Sequence, residues 1–451
     1  MQYTGKKVCV IGSGISGIGA AALLSKRGAD VLLYDGNEKA DRAQIEGRLA
    51  EFPKVQIVIG EFPKEVISTL DLTVISPGVP VELPLIVEMR AAGVKIWGEV
   101  ELAYQCGKGK VVAITGTNGK TTTTALTFEI MKNYFESAFV VGNIGTPYTS
   151  VVDDMTENSV TVAEISSFQL ETIEAFQPMA SAILNITPDH LDRHKTMENY
   201  IAVKESIVKN QTAEQTCVLN YEDEELRRFA KTIEPKVIFF SSMRTLPEGV
   251  YLDQDSIVYH DGKNAVVVCK TDELNLLGRH NHENVMAAIA LAISMEVPLS
   301  VIRETVMNFV AVEHRIEFVQ EKNGVAYYND SKGTNPDAAI KGIQAMNRPT
   351  ILIGGGYDKN SEYEEWIQAF DGKVRYLVLI GQTREKIADA AKRCGFHDII
   401  FAETLEEAVK ISAQKAGAGD AVLLSPACAS WGMFKNYEER GRMFKDYVRN
   451  L

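Results

Sequence analysis

The sequence predicts an α/β protein of three domains, each an open, mostly parallel sheet with flanking helices. The chain has 451 residues, and at about 150 residues per domain that length accommodates three. A short apolar strand runs into a glycine-rich turn at three places, in the segments VCVIGSG, VVAITGTNGK and TILIGGGYDK. Strand patterns alternate with helical patterns after each turn, which favours parallel strands joined by crossover helices. We place the three domains at residues 1–108, 109–311 and 312–451.

Composition and charge exclude several classes of partner. The formal net charge of -13 opposes nonspecific binding to nucleic acid or to anionic membranes, because both require a basic surface. The six cysteines are scattered and form no C-x-x-C pair, which fits a reducing compartment. No apolar run approaches the roughly 18 residues of a membrane span, and the N-terminus lacks a signal-peptide pattern. We therefore expect a cytoplasmic monomer without a nucleic-acid or membrane partner.

The first glycine turn has the spacing of a dinucleotide-binding fingerprint and predicts a Rossmann-like domain. Gly12, Gly14 and Gly17 follow an apolar strand in G-x-G-x-x-G order, and a second strand ends in Asp35. Glycines at these positions let the backbone approach a pyrophosphate at a helix N-terminus, and the acidic residue takes ribose hydroxyls. An NAD-dependent oxidoreductase is therefore one reading of this domain.

The second glycine turn predicts a phosphate loop for a nucleoside triphosphate in the central domain. Gly116 and Gly119 shape a loop that leads into Lys120 and Thr121 at the start of a helix. Lys120 can neutralise phosphate charge, and the Thr121 hydroxyl can hold Mg²⁺. The strict G-x-x-x-x-G-K-[ST] pattern is not met, because Ile114 occupies the position of its first glycine.

Two segments downstream carry residue types that a metal-dependent phosphoryl transfer needs. Glu164 lies near the end of an apolar strand in VTVAEISSFQLE, where metal-binding acids lie in parallel sheets. In ILNITPDHLDRH the strand is expected to end at Pro188, and residues 189–194 then contain five ionisable groups. We expect His190 to lie beside Glu164 and Lys120 on adjacent strand ends, where it would complete a cation site.

The third domain places polar loops after predicted strands. The loops are NDSKGTN after an aromatic-rich strand, GGGYDK, and SPACASWGMFKNYEERG after another apolar strand. The carboxyl ends of parallel strands form the binding edge of open α/β sheets, so the three loops predict a second binding face. A hairpin is expected just before it, in the segment FVAVEHRIEFVQEKNGVAYYND.

At these residues the sequence resembles the Mur ligase family over essentially the whole chain. The motifs that carry the resemblance are GSGISG, TGTNGKT, GNIG, EISSFQLE, TPDHLDRH, GRHN, HRIE, NDSKGTN and SPACAS. Family members that add other amino acids typically have a D-Y-A-H-type motif where this chain has NDSKGTN. The resemblance is therefore to the D-glutamate-adding branch.

The resemblance implies an ATP-dependent ligase that joins UDP-N-acetylmuramoyl-L-alanine to D-glutamate. The γ-phosphoryl group of ATP would activate the carboxylate as an acyl phosphate, which the amine then attacks. The implied cofactors are ATP and Mg²⁺. The implied process is cytoplasmic peptidoglycan precursor synthesis, and with it cell-wall biogenesis, cell shape and cell division.

The resemblance also implies roles for individual residues. The implied catalytic residues are Lys120, Glu164, His190 and Lys204. The implied metal ligands are Thr121, Glu164, His190 and, if it is carbamylated, Lys204. The implied ATP contacts are Gly116, Thr117, Asn118, Gly119, Lys120, Thr121, Asn284, Arg315 and Asp330. The implied contacts to the UDP-linked substrate are Ile15, Ser16, Asp35, Gly78, Asn143 and His190. The implied D-glutamate contacts are Lys332, Thr334, Lys359, Ser430, Trp431 and Tyr437.

Four alternatives stay open on the sequence alone. A sister ligase would perform the same chemistry on another amino acid, and a folylpolyglutamate-type ligase would act on another acceptor. An NAD-dependent oxidoreductase accounts for the first domain only, and a non-catalytic nucleotide-binding module would not need Lys120 and two metal-ligand candidates. Without the resemblance, Lys204 reads as a solvated helix lysine.

Overall fold

The computed structural model describes residues 3–143, 146–310 and 312–451. Within these stretches the strands form three sheets, of five, nine and six strands. Most neighbouring strands are parallel and helices connect them, which confirms the predicted α/β class. By compactness the chain divides into two units, Met1–Thr271 with Glu283–Met307, and Asp272–His282 with Asn308–Leu451. The first two sheets lie in the first unit, and the predicted domain boundaries near residues 108 and 312 stay predictions.

The first sheet is parallel throughout and has the order β3-β2-β1-β4-β5. The order reverses between β1 and β4, and this switch point lies at the glycine turn that follows β1. The strands are β1 Lys7–Ile11, β2 Asp30–Asp35, β3 Gln56–Ile59, β4 Leu72–Ile75 and β5 Lys95–Gly98. The helices are α1 Ile15–Lys26, α2 Arg42–Arg48, α3 Pro84–Ala91 and α4 Glu99–Cys106, with a 3₁₀ helix at Lys64–Thr69.

The second sheet has the order β14-β13-β12-β11-β10-β9-β6-β8-β7. It is parallel from β7 to β12, and β12, β13 and β14 form an antiparallel extension that the sequence did not predict. The strands are β6 Lys110–Thr115, β7 Ala138–Gly142, β8 Val160–Glu164, β9 Ala180–Ile183, β10 Thr216–Asn220, β11 Lys236–Ser241, β12 Gly249–Asp253, β13 Ser256–His260 and β14 Ala265–Lys270.

The chain around the second sheet is mainly helical. The helices are α5 Lys120–Lys132, α6 Ser167–Leu170, α7 Leu191–His194, α8 Met197–Glu205, α9 Glu224–Phe229, α10 Arg279–Ser294 and α11 Leu299–Asn308. The 3₁₀ helices are Tyr148–Ser150, Val152–Asp154, Ser206–Val208 and Thr271–Glu273. The expected end of β9 at Pro188 is wrong, because the strand ends at Ile183. Asn185 leaves the ladder there, and its carbonyl accepts a hydrogen bond from Thr117 N at 2.9 Å.

The third sheet has the order β15-β16-β20-β17-β18-β19. Its first two strands form the expected antiparallel hairpin, and the other neighbours are parallel. The strands are β15 Glu317–Lys322, β16 Val325–Asn329, β17 Thr350–Gly354, β18 Val374–Leu379, β19 Ile399–Phe401 and β20 Ala421–Leu424. The helices are α12 Pro336–Ala345, α13 Glu364–Gln368, α14 Arg384–Arg393, α15 Leu405–Lys415 and α16 Tyr437–Arg449.

Apolar cores lie on both faces of the third sheet, as expected for strands covered by helices on each side. One contains Trp366, Leu377 and Leu379, and the other contains Phe444 and Val378. The polar side chains implied in ligand binding therefore lie in the loops at the ends of the strands. Across the described residues, the helices are too short or too polar for any of them to traverse a lipid bilayer.

Candidate functional site

The glycine turn after β1 is as tight as its spacing predicts. Gly12 has a φ of +98°, which favours glycine. A Cβ atom on Gly17 would lie 1.8 Å from the Gly12 carbonyl oxygen, so α1 packs directly against the turn. Glycine at both positions therefore brings the backbone close enough for a ligand to rest on the head of α1.

Asp35 at the end of β2 is bound back onto this turn. Its carboxylate accepts hydrogen bonds from Ser13 N at 2.9 Å, from the Ser13 hydroxyl and from Asn37 N at 2.9 Å. Burial alone would raise the pKa of Asp35, but these hydrogen bonds outweigh burial and lower the pKa. Asp35 is therefore an ionised acceptor of fixed orientation at neutral pH.

A cavity of about 510 Å³ adjoins the turn, and Gly12, Asp35 and Phe62 are among the residues that line it. Of the other positions implied for the UDP-linked substrate, Ile15 and Gly78 are exposed and Ser16 is half-buried. The size of the cavity suits one part of a nucleotide.

The phosphate loop joins β6 to α5 through two glycines with positive φ. Gly116 has a φ of +146° and Gly119 a φ of +87°. A Cβ atom on Gly119 would lie 2.2 Å from Asn284 Oδ1, so the loop and the buried Asn284 side chain are in close contact. The Lys120 Nζ donates to the carbonyl oxygens of Gly116 and Thr117, at 2.9 Å each. The lysine thus lies along the loop whose phosphate it is predicted to neutralise.

Asn185 fixes the loop from the neighbouring strand. Asn118 N donates to Asn185 Oδ1 at 2.8 Å, and Asn185 Nδ2 donates to the Asn118 carbonyl at 3.1 Å. Together with the bond from Thr117 N to the Asn185 carbonyl, this binds the loop to the segment after β9. Sequence reasoning missed Asn185; its only signal was its place directly after an apolar strand.

Glu164 lies at the end of β8, next to the phosphate loop. Its Cα pairs with that of Ile114 in β6, and its side chain is 2% exposed. Asn143 Nδ2 donates to Glu164 Oε1 at 2.9 Å, whereas Oε2 is buried and accepts no hydrogen bond from any described residue. A buried carboxylate oxygen without a partner is costly, and a bound divalent cation would satisfy it.

Lys204 is buried, and its sequence reading as a solvated helix lysine is wrong. The side chain is 1% exposed and lies inside α8, with Nζ 4.8 Å from the centre of the Tyr200 ring. Nζ donates to the Gly116 carbonyl at 2.9 Å, so Lys204 and Lys120 share one acceptor. Burial and then the charge of Lys120 lower the pKa of Lys204 to about 7. A large fraction of this amine is therefore neutral at physiological pH.

Two further residues implied by the resemblance, Thr121 and Thr117, lie around the loop. Thr121 is buried in the first turn of α5, and Thr123 in the same helix donates to Asn284 Oδ1 at 3.3 Å. The Thr117 hydroxyl donates to the Thr187 carbonyl at 3.1 Å. The segment GNIG begins with Gly142 and Asn143, and its positions 144 and 145 lie outside the described residues.

His190 is more exposed than its predicted role as a metal ligand suggests. Its side chain is 49% exposed, its φ is +52°, and it immediately precedes the short helix α7. Its ring lies 3.5 Å from Asp189 Oδ2 and 4.9 Å, between centroids, from Phe168. The expectation that His190 completes a cation site with Glu164 stays a prediction.

Arg193, three residues after His190, contacts the first domain. Arg193 Nη2 donates to the Val79 carbonyl at 3.1 Å and to Glu171 Oε2 at 2.5 Å. The side chain of Arg193 is only 12% exposed. The histidine-containing segment is thereby bound to the loop that follows β4.

The second unit carries the remaining implied residues on the carboxyl edge of the third sheet. Asp330 follows β16 and is buried, and Ser425 Oγ, after β20, donates to Asp330 Oδ2 at 2.7 Å. Burial raises the pKa of Asp330 to about 7, against the lowering effect of the Ser425 hydrogen bond and of the Arg315 charge. Two loops that the sequence marked separately are thus directly joined.

Two lysines implied in D-glutamate binding each lie over an aromatic ring. Lys332 Nζ lies 5.4 Å from the centre of the Tyr437 ring, and Lys359 Nζ lies 5.1 Å from that of Trp431. Of the other implied residues, Ser430 is buried, Thr334 is half-buried and Trp431 is exposed. Cations and hydroxyl groups at one edge of a sheet suit a ligand with carboxylate groups.

A phosphate loop with its lysine, beside a buried carboxylate, defines a nucleotide-binding enzyme of the three-sheet α/β class. Three family models match the chain. They are the Mur ligase MurD-like N-terminal domain at residues 6–98, the Mur ligase middle domain at 114–292, and the Mur ligase glutamate ligase domain at 314–428.

Curated relatives match over the full length. UDP-N-acetylmuramoylalanine–D-glutamate ligases from Lachnoclostridium phytofermentans and Lachnospira eligens are each 57% identical over 451 residues. These matches cover 100% of this chain and 99% and 100% of the relatives. A ligase of the same name from Clostridioides difficile is 45% identical, with 100% of both chains covered. The chain belongs to the Mur ligase family.

Solved structures agree with the fold. UDP-N-acetylmuramate-alanine ligase MurC from Thermotoga maritima has a TM-score of 0.61 at 20% identity, over 98% of this chain and 99% of that chain. The MurF ligase from Thermotoga maritima, solved in complex with ADP, has a TM-score of 0.59 at 17% identity, over 100% and 96%. At these identities the likeness shows the shared fold.

Proposed function

We propose that this chain is an ATP-dependent ligase that adds D-glutamate to UDP-N-acetylmuramoyl-L-alanine in the cytoplasmic synthesis of peptidoglycan precursors. The observation that carries the proposal is the 57% identity, over the whole chain, to relatives named as the D-glutamate ligase. The site supports it, because a phosphate loop with Lys120 lies beside the buried Glu164 carboxylate.

The reaction requires activation of a carboxylate, which is a poor electrophile. Transfer of the γ-phosphoryl group of ATP to the L-alanine carboxylate gives an acyl phosphate and ADP. The amine of D-glutamate then attacks the carbonyl carbon, and the tetrahedral intermediate collapses to the amide and inorganic phosphate. Lys120 and the N-terminus of α5 would stabilise the phosphate charge throughout, as fixed dipoles and cations do in phosphoryl transfer.

Mg²⁺ fits the residues around the phosphate loop. The unpartnered Glu164 Oε2 and the Thr121 hydroxyl offer hard oxygen donors next to the predicted triphosphate position, and His190 is a further candidate. When bound, the ion supplies charge neutralisation for the phosphate oxygens. Asn143 holds the other oxygen of Glu164 and so orients the carboxylate.

Lys204 is proposed as a carbamylated lysine. A carbamate forms only from a neutral amine and carbon dioxide, and the lowered pKa of Lys204 provides that amine near pH 7. The product would carry a negative charge close to the Gly116 carbonyl and to Lys120, and it would become a further oxygen donor.

The glycine turn of the first domain would bind the UDP moiety and has no redox role in this proposal. Its fixed, ionised Asp35 suits a donor group on the nucleotide, and the cavity of about 510 Å³ lies beside it. The second unit would bind D-glutamate through Lys332, Thr334, Lys359 and Ser430, with Trp431 and Tyr437 as neighbours. The protein is proposed to act as a monomer, without nucleic-acid or membrane partners.

An ADP-release assay with single-component omissions tests the proposal. ADP should appear in amounts matching the new amide, and only when ATP, Mg²⁺, UDP-N-acetylmuramoyl-L-alanine and D-glutamate are all present. L-alanine and meso-diaminopimelate in place of D-glutamate serve as matched controls for the sister ligases. Equal turnover with either one would refute the assigned amino acid, and reduction of NAD in the same mixture would revive the oxidoreductase reading.

A further inference from the structure

Arg440 is a charged side chain with no exposed surface. It lies in the first turn of α16 and is 0% exposed, among the largest side chains that the fold buries completely. Its guanidinium donates from Nε to Ser331 Oγ at 2.9 Å, from Nη2 to the Ser331 carbonyl at 2.7 Å, and from Nη1 to the Cys428 carbonyl at 3.1 Å. Each of its nitrogens therefore has a defined partner.

These partners belong to two different loops. Ser331 lies in the loop after β16, next to Lys332, and Cys428 lies in the loop after β20, two residues before Ser430. The loops follow paired neighbouring strands that are almost a hundred residues apart in sequence. The strand pairing and the bond from Ser425 to Asp330 fix the loops where they begin, and Arg440 joins them further out, at Ser331 and Cys428. A planar guanidinium with several rigidly arranged donors can hold two backbone segments at a set distance, whereas an ammonium cannot.

The first turn of α16 also contacts the loop that contains Ser331. Ser331 Oγ donates to the Tyr437 carbonyl at 2.8 Å, and the Tyr437 ring lies under Lys332 Nζ. One turn further, a Cβ atom on Gly441 would lie 2.2 Å from His314 Nδ1, so the helix is packed closely against the hairpin segment. The first turn of α16 therefore has little freedom to move relative to either loop.

We propose that Arg440 is the positioning residue of the amino-acid site, holding the Ser331 and Cys428 loops at the separation that D-glutamate requires. The inference rests on the proposed function, because it takes Lys332, Thr334 and Ser430 as the groups that bind D-glutamate. Arg440 itself is buried beneath the loops and does not touch the substrate.

Burial of this charge is difficult to explain by stability alone. A buried ionic group can often be replaced by a well-packed apolar one at no cost in stability, since desolvation offsets most of the electrostatic gain. What an apolar side chain cannot supply is a fixed geometry between polar groups. In an active site, a displacement of a substrate-binding group by about 1 Å can lower the rate on the order of 100-fold. A fixed separation between the two loops would therefore matter for catalysis.

Arg440→Lys provides the principal test. The lysine keeps the charge and one donor group but cannot span both loops. We expect the KM for D-glutamate to rise about 10-fold, while the KM for the UDP-linked acceptor stays within about two-fold of wild type. Arg375→Ala is the matched control, because Arg375 pairs with Asp420 at 2.6 Å at the opposite edge of the same sheet. Both KM values should be unchanged in that control.

Three results would overturn or redirect the inference. If Arg440→Lys lowers kcat only in proportion to the fraction of folded protein and leaves both KM values unchanged, Arg440 has a structural role only and the proposal is wrong. If Arg440→Lys does not fold, Ser331→Ala removes one partner of the guanidinium and should raise the KM for D-glutamate by several-fold; an unchanged KM would overturn the proposal. Wild-type turnover with a different amino acid would refute the proposed function instead, and the KM for that amino acid would then decide the role of Arg440.

Discussion

The two glycine turns of the first unit, after β1 and after β6, have similar backbone conformations but side chains of opposite charge beside them. Each follows a buried parallel strand, contains glycine with positive φ, and opens a helix. The turn after β1 is closed by the ionised Asp35, which accepts from Ser13. The loop after β6 has Lys120 and the buried amine of Lys204, which both donate to the Gly116 carbonyl.

The difference shows which part of a nucleotide each turn suits. Backbone N–H groups at a helix N-terminus favour any phosphate, so glycine spacing alone does not separate one nucleotide from another. A carboxylate beside the turn suits donor groups on a sugar or base, whereas lysines and a buried acid suit a triphosphate with a metal ion. The charges beside each turn therefore support the proposed division, with substrate binding at the first turn and phosphoryl transfer at the second.

The largest expected effect is at Lys120. Lys120→Ala should lower kcat on the order of 10³-fold, because a cation on the transferred phosphate acts mainly in the transition state. ADP release measures the loss, and circular dichroism checks the fold. Lys132→Ala, at the far end of the same helix, is the control and should keep full activity. Full activity in Lys120→Ala would remove the distinction between the two turns.

Glu164→Gln should have the next largest effect. The substitution keeps the shape of the side chain but removes the charge that a cation would neutralise, and we expect a loss on the order of 10²-fold. Raising the Mg²⁺ concentration should recover part of the activity. Glu157→Gln changes an exposed acid paired with Lys108 and should be neutral. Equal Mg²⁺ dependence in wild type and Glu164→Gln would contradict the metal assignment.

Asp35→Asn tests the first turn. Loss of one charge-assisted acceptor should raise the KM for the UDP-linked substrate by about 5- to 10-fold and leave the KM for ATP unchanged. Initial-rate kinetics with each substrate varied in turn separates the two values. Asp30→Asn, at the exposed start of the same strand, is the control. A raised KM for ATP instead would mean that the two turns do not have separate ligands.

The smallest effect concerns stability and pH. Because the native pKa of Lys204 is lowered to about 7, the unfolded chain binds one more proton than the native state from there up to the usual lysine pKa. Stability from this group should therefore rise with pH, by about 1 to 2 kcal/mol between about pH 7 and about pH 8.5. Lys204→Met should lack that rise.

Urea unfolding in buffer free of carbon dioxide measures this difference, since a carbamate would not titrate in that range. Lys209→Met, an exposed lysine just after the same helix, is the control and should follow wild type. A Lys204→Met variant with the same pH dependence as wild type would show that Lys204 titrates normally.

The predictable parts of the molecule are those set by local sequence. Glycine spacing after an apolar strand correctly located both turns, and the expected hairpin in FVAVEHRIEFVQEKNGVAYYND is formed by β15 and β16. Glu164 was predicted from its place near the end of an apolar strand, and the role of Asp330 was implied by the resemblance. Neither the unpartnered Oε2 of Glu164 nor the bond from Ser425 to Asp330 follows from spacing.

The residues that sequence reasoning missed act across long distances in the chain. Asn185 binds the phosphate loop, which lies almost seventy residues earlier in the chain. Arg440 joins the loops that follow β16 and β20. Lys204 reads as a solvated lysine because its helix has no clear apolar face, and only the tertiary structure shows that it is buried. Such contacts depend on sheet order, which a local pattern does not contain.

The early end of β9 also affects the thermodynamics of nucleotide binding. By leaving the ladder at Ile183, the chain frees Asn185 to hold the backbone of the phosphate loop at Thr117 and Asn118. The conformational entropy of that loop is therefore lost when the protein folds. A nucleotide would therefore bind to a loop that is already ordered. Because binding then costs less conformational entropy, more of the favourable interaction energy contributes to affinity.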